Sequence, residues 1–289
     1  MKKVLVMGGT RFFGKYLVWN LLERGHQVTI ATRGQTLDEF GEQVTRIIFD
    51  RQDPESIKAA FAGQDFDVIY DNIAYTSMDI VNFLENVTVK RYIVTSSMAV
   101  YPRLHWDLKE NDFVANRPYE LVTSEQVNYA EGKRSLERVI VQKYLNDAVM
   151  VRFPYVVGID DYTERLKNYV VRTLNQEAQA IDNLDAQMAF VNAQEAGAFL
   201  AFLSQVNFTG AINGASSGTV SLAEILRYVE KQTGQAPIIS TEGVPGAYNH
   251  TPEYSLNNDR AQQLGFTFSE LKDWLYPLLD HEIDRWRQG

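Results

Sequence analysis

The sequence predicts an open, doubly wound α/β fold: a parallel sheet with helices on both faces and a smaller C-terminal lobe. Three observations point there. Short apolar β-type runs alternate with helical periodicity through the first half of the chain, the pattern of strand–helix–strand units. A glycine-bearing turn, VLVMGGTRFFGK over 4–15, separates the first run from the first helix. Beyond residue 155 the alternation lapses into helices mixed with loops, as expected of a second lobe.

The elements follow in order. Lys3 to Met7 reads as a buried strand. Lys15 to Arg24 sets Leu17, Val18, Leu21 and Leu22 on one helical face and stops at Gly25. QVTIAT (27–32) and TRIIF (45–49) are the next strands, and Pro54 to Phe61 suits a helix. DVIY (67–70) is a fourth strand, 77–87 a helix and RYIVT (91–95) a fifth strand. Helical periodicity covers 124–143, and Val149 to Phe153 is strand six. Helices near 163–175, 194–204, 221–233 and 269–287, with the strand-like GAINGAS, complete the chain. The sheet domain is assigned to 1–155 with 190–215, and the lobe to 156–189 with 216–289. The sequence carries no evident repeat, low-complexity tract or flexible linker.

Composition excludes several function classes. The chain has 289 residues, 45% hydrophobic and 22% charged, as globular proteins have. A net charge of −9 disfavours a broad electrostatic grip on nucleic acid. With no cysteine, disulfides, thiolate nucleophiles and cysteine-ligated zinc are ruled out. His26, His105, His250 and His281 show no ligand spacing, so no metal is expected. No Ser-His-Asp set is evident, and hydrolase chemistry is not expected. The run Val4–Met7 is too short for a signal-peptide core, and no apolar stretch reaches the roughly 18 residues of a membrane span. A cytoplasmic protein without membrane contact is expected.

The turn Gly8-Gly9-Thr10-Arg11-Phe12-Phe13-Gly14 keeps the outer glycines of a dinucleotide-binding fingerprint but holds Arg11 in place of the central one. Backbone without Cβ can approach a pyrophosphate, and a helix N-terminus offers free N–H groups to it. The second strand ends in Thr32-Arg33-Gly34, where NAD-binding chains place an acid for the ribose hydroxyl. No acid occurs there before Asp38. Arg33 and Arg11 suit a 2′-phosphate instead, which predicts NADP, with NAD as the alternative. Asp50 and Arg51, after the third strand, stand where such folds hold adenine. Capping the next turn is an equal reading for the carboxylate.

Thr95, Ser96 and Ser97 end the fifth strand, at the sheet edge that faces the ligand crevice. YAEGK (129–133) sets Tyr129 and Lys133 on one helix face. A free phenol titrates near 10, so Lys133 is expected to lower Tyr129 and to hold a cofactor ribose. Tyr129 would then be acid or base for a carbinol/carbonyl pair, with Ser97 bonded to the same oxygen. The Tyr-x-x-x-Lys spacing is common by chance. Its order after the glycine loop and the serine-bearing strand is what carries weight.

Here the chain resembles the extended short-chain dehydrogenase/reductase family, the epimerase/dehydratase group with a Rossmann domain, over nearly its whole length. The resemblance rests on GGTRFFG (8–14), DNIAY (71–75), TSSMAVY (95–101), YAEGK (129–133), RFPYVVG (152–158), FVNAQEAGAFL (190–200), INGASSGTVSLAEI (212–225) and NNDRAQQLGF (257–266). It implies Ser97, Tyr129 and Lys133 as the catalytic set. It also implies that Asn72, Ile73 and Ala74 line the nicotinamide side and that Phe153 and Pro154 lie near the reacting ring. The variant looks like the GGTRF subgroup, which includes chloroplast stem-loop-binding proteins. The chain departs from the sugar-nucleotide pattern: Gln187, Met188 and Ala189 stand where an arginine usually grips the substrate diphosphate, and PGAYNHTPEYSLNN lacks a second. Arg165, Lys167 or Arg172 could substitute. Met98 offers no acid of the kind a dehydratase wants. His105 and Trp106 could line the pocket or cap a loop, and Asp160, Asp161 and Tyr162 have no assigned role. The resemblance implies an NAD(P)-dependent oxidoreductase or epimerase acting on a small, sugar-like substrate, as monomer or homodimer. The alternative is a cofactor-binding regulatory protein that contacts RNA or protein.

Overall fold

The computed structural model describes residues 1–144 and 148–288. Among these, seven strands form one parallel sheet: β1 (Lys3–Met7), β2 (Gln27–Thr32), β3 (Val44–Ile48), β4 (Val68–Asp71), β5 (Tyr92–Ser97), β6 (Ala148–Phe153) and β7 (Gly210–Asn213). The spatial order is β7-β6-β5-β4-β1-β2-β3. It reverses between β4 and β1, and a ligand crevice opens at such a switch point. Register there is set by Val4 facing Val68 on one side and Val28 on the other.

Alternation along each strand feeds two cores. Val4 and Val6 of β1 pack with Leu17, Val18 and Leu21 of α1 (Phe12–Glu23) and Phe199 of α6 (Ala193–Leu203). Leu5 and Met7 face the other way, onto Ile57 of α2 (Pro54–Phe61), Ile80 of α3 (Ser77–Leu84) and Leu136 of α4 (Tyr129–Val139). A third core joins α5 (Arg165–Leu174), α7 (Leu222–Thr233) and α9 (Leu271–Gln288) through Leu166, Val170, Leu226, Leu275 and Leu279. The Met98–Tyr101 turn and Phe113 reach into it from the sheet side. No helix among the described residues is long and apolar enough to cross a membrane.

Several helix boundaries differ from the sequence reading, among them the start of the first helix, expected at Lys15 and observed at Phe12. The helix expected from 124 begins at Tyr129, because Asn128 caps it by accepting the Glu131 N–H at 3.0 Å. Its tail loosens into a π-helical turn over Ile140–Tyr144. The helix expected over 77–87 ends at Leu84. Short strand pairs also went unforeseen, Tyr155–Val157 with Phe190–Asn192 among them. Three residues are too few to show a period.

Candidate active site

The glycine loop is built by close approach. Gly8 has φ of +76°, and a Cβ there would lie 2.7 Å from Ile73 Cγ2. A Cβ on Gly14 would lie 2.0 Å from the Gly8 carbonyl oxygen. Both positions therefore exclude a side chain. The central position does not: Arg11 is extended, with φ −136° and ψ 154°. The left-handed turn falls on Phe12 instead, at φ +52°. Phe12 is buried and packs against Phe13 and Tyr162, with ring centroids 5.8 and 6.2 Å away. An arginine can thus occupy the middle of this loop without strain.

Beside the loop lies a cleft of about 490 Å³, lined by Gly8, Thr10, Arg11, Phe12, Phe13, Arg33, Asp50, Arg51, Asn72 and Ile73 among others. Arg11 and Arg33 are both exposed there, and neither has an ion-pair partner among the described residues. Asp38 is turned away from the cleft's needs by Arg46, which donates to it at 2.6 and 2.9 Å and holds its carboxyl below the usual range. Asp50 accepts the Gln52 N–H at 2.9 Å, the capping role. Arg51 differs from expectation. Its guanidinium is buried and engages both oxygens of Asp71, one at 2.8 Å. Tyr92 donates to the same carboxylate. Arg51 thus serves as a buried counter-ion under the cleft floor. Asn72 accepts from Thr95 Oγ1 at 2.8 Å, while its buried Nδ2 has no acceptor. A buried amide without a partner is one that a ligand oxygen would complete. Together with the glycine cradle and the two free arginines, it fits a dinucleotide.

A second cavity, about 540 Å³, continues the first and shares Phe12, Phe13, Asn72, Tyr75 and Tyr162 with it. Ser97, Tyr129 and Lys133 all line it, as do Thr95, Ser96, Phe153 and Pro154. Strand β5 delivers Ser97, whose Oγ accepts the Ala99 N–H at 3.2 Å and caps the turn Met98–Val100. The Tyr129 ring is 51% exposed, hence reachable from the cavity. Lys133, one turn along α4, is 2% exposed. Its Nζ donates to the carbonyls of Ala74 and Thr95 at 2.7 and 2.8 Å and lies 5.0 and 5.7 Å from the Tyr75 and Tyr129 ring centroids. Burial pushes its pKa down to about 8, against the pull of Asp71. The expected lowering of Tyr129 is not what the site produces. Crowding in the cleft raises the phenol above its ordinary value, and the nearby Ser97 hydroxyl draws it part of the way back.

Ser96 also departs from expectation. Its hydroxyl proton is donated inward to Glu137 at 2.6 Å rather than toward the cavity. Glu137 pairs with Arg152 through bonds of 2.6 and 3.0 Å, both residues at most 1% exposed. Arg152 goes on to the carbonyls of Glu110 and Phe113 at 2.8 and 3.0 Å. His105 and Trp106 are not among the residues lining either cavity. Tyr75 and Tyr162, which line both, were missed in the sequence. Each sits in a loop, where no period marks it. One further string, GASSG (214–218), has the spacing of a hydrolase nucleophile turn. Its Ser216 is 2% exposed and held between Glu195 and Trp274, each at 3.0 Å, so it is a packing residue.

Fold, glycine cradle and cleft define a dinucleotide-binding protein. Residues 8–177 match the NAD(P)H-binding family, and the chain belongs to it. The chloroplast stem-loop binding protein of 41 kDa b from Arabidopsis thaliana is 34% identical over a 114-residue alignment that covers 35% of this chain. The match spans only 30% of that relative's length. Among solved structures, UDP-glucuronic acid 4-epimerase from Bacillus cereus, in complex with UDP-glucuronic acid and NAD, superposes with a TM-score of 0.75 at 17% identity over 99% of both chains. UDP-glucose 4-epimerase from Thermotoga maritima, with UDP-glucose, gives 0.76 at 15% identity over 99% of both. At these identities the likeness is one of fold.

Proposed function

We propose that this protein is an NADP-dependent oxidoreductase or epimerase that acts on a hydroxyl/carbonyl carbon of a small substrate through Ser97, Tyr129 and Lys133. The observation that carries this reading is their convergence: three residues from a strand end and a helix line one cavity that runs into the glycine-loop cleft. In the oxidising direction Tyr129, as phenolate, takes the substrate hydroxyl proton, and Ser97 donates a hydrogen bond to the same oxygen. The Lys133 ammonium, held between two carbonyls beside the ring, stabilises the phenolate by its charge. NADP, held by the glycine loop with Arg11 and Arg33, would supply hydride acceptance in this direction and hydride donation in the reverse. Arg11 and Arg33, free and facing one cleft, favour the phosphorylated cofactor. Gln187, in place of a diphosphate-gripping arginine, is engaged by Glu224 at 2.8 Å and Thr219 at 2.9 Å, which argues for a substrate other than a nucleotide sugar.

Tyr129→Phe tests the reading. With NADP(H) and a panel of sugars, hydroxy acids and their carbonyl forms, turnover should fall at least about a hundredfold while cofactor affinity persists. Unchanged turnover removes the mechanism. NADPH should bind more tightly than NADH in parallel titrations, and equal affinities remove the NADP assignment. The name of the Arabidopsis relative motivates a second reading, a cofactor-bound protein that contacts RNA. Salt-sensitive RNA binding without activity across the panel would favour it, although the charge of −9 speaks against it.

A further inference from the structure

We propose that the substrate brought to Ser97 and Tyr129 carries a carboxylate or phosphate ester group, and that Arg165 receives it. This rests on the catalytic reading of the cleft and narrows its substrate class. Arg165 opens α5 and lines the same 540 Å³ cavity as Ser97, Tyr129 and Lys133. Its guanidinium forms no ion pair among the described residues. Its support is the ring of Tyr155, 5.9 Å from Cζ, and Tyr155 is fixed in turn by a hydrogen bond of 3.0 Å to Thr251.

The acids nearest in sequence are occupied elsewhere. Glu164 binds Lys167 at 2.6 Å. Asp160 binds Lys15 at 2.6 Å and Tyr16 at 3.2 Å. Asp161, the one carboxylate lining this cavity, accepts from the Thr163 N–H and hydroxyl at 2.9 and 2.6 Å. The neighbouring cations are occupied too: Lys167 by Glu164, and Arg172 by the Pro245 carbonyl at 3.4 Å. Lys133, the other cation of the cavity, donates to two backbone carbonyls. Among the described residues Arg165 is the guanidinium that lines this cavity, and no carboxylate pairs with it. Its planar fork matches a carboxylate or a phosphate. Its charge already reaches the Tyr129 phenol, whose pKa it draws downward.

The test uses the full chain saturated with NADPH, titrated with malonate, inorganic phosphate and the neutral isostere malonamide, and read by nicotinamide fluorescence. Malonate or phosphate should bind, and the tighter of the two names the group. Malonamide should not. Arg165→Ala should weaken anion binding at least about tenfold, and Arg165→Lys should recover part of it, with NADPH affinity unchanged in both. Three results overturn the proposal: no anion binding by the wild type, equal binding of malonamide, or anion binding that survives Arg165→Ala. Failure of the wild type to bind NADPH would instead overturn the cofactor site, so the two failures are distinct.

Discussion

At the residue scale the site turns on what burial does to two side chains. Tyr129 is raised by the crowded cleft, and Lys133 is lowered to about 8 from 10.5. At neutral pH the lysine is still mostly an ammonium, so its charge is present beside the Tyr129 ring. Folding must nevertheless hold that charge away from water. Between pH 8 and about 10 the unfolded chain binds more protons at this position than the folded one, so this lysine's contribution to stability rises with pH through that window. Urea midpoints compared at pH 7 and pH 9.5 should therefore shift further upward in wild type than in Lys133→Met. The difference should be about 2 kcal/mol. Parallel pH dependences in the two proteins would mean that the ammonium is better hydrated than its 2% exposure implies.

At the element scale, strand β5 and helix α4 hold Ser97 and Tyr129 in register through the Ser96–Glu137 and Lys133–Thr95 bonds, and Arg134 ties the turn that follows the strand. Arg134, next to Lys133, donates to the Val100 carbonyl at 2.9 Å and to those of Ala99 and Tyr101 at 3.4 and 3.5 Å. Glu131 braces it from the same helix at 3.1 Å. The turn that Ser97 caps is thereby fastened to the helix that carries the phenol. Arg134→Gln should lower kcat roughly tenfold with KM and NADPH affinity nearly unchanged, and Arg134→Lys should restore part of it, since small misplacement of reacting groups slows chemistry without weakening binding. A KM effect equal to the kcat effect would place Arg134 in binding. The elements themselves were legible because strands and helices write periods into the sequence. Lys3–Met7 and Pro54–Phe61 match their expected bounds. Residues whose roles depend on which way a hydroxyl or guanidinium turns, such as Ser96 and Arg51, left no such mark. The partners that claim them, Glu137 and Asp71, lie 41 and 20 residues away in the chain.

At the scale of the whole molecule, the sheet, helix α4 and the loop over 101–113 are joined by buried charge as well as by apolar packing. Arg152 on β6 is bound to Glu137 on α4, to the carbonyls of Glu110 and Phe113, and to the Tyr101 hydroxyl, which donates onward to Asn213 on β7 at 2.6 Å. One guanidinium therefore ties the sheet, helix α4 and the loop over 101–113. Its desolvation is compensated only while Glu137 carries its charge and geometry. Glu137→Gln leaves Arg152 uncompensated inside the protein, which should destabilise the fold by about 3–5 kcal/mol in chemical denaturation. The same substitution touches neither arginine of the cofactor cleft, so NADPH affinity measured well below the melting transition should stay close to wild type. A cost under about 1 kcal/mol would mean that water reaches Arg152 and that apolar contact alone holds α4 and the 101–113 loop to the sheet. Preserved stability with lost NADPH binding would move Glu137 from the scaffold into the cofactor site.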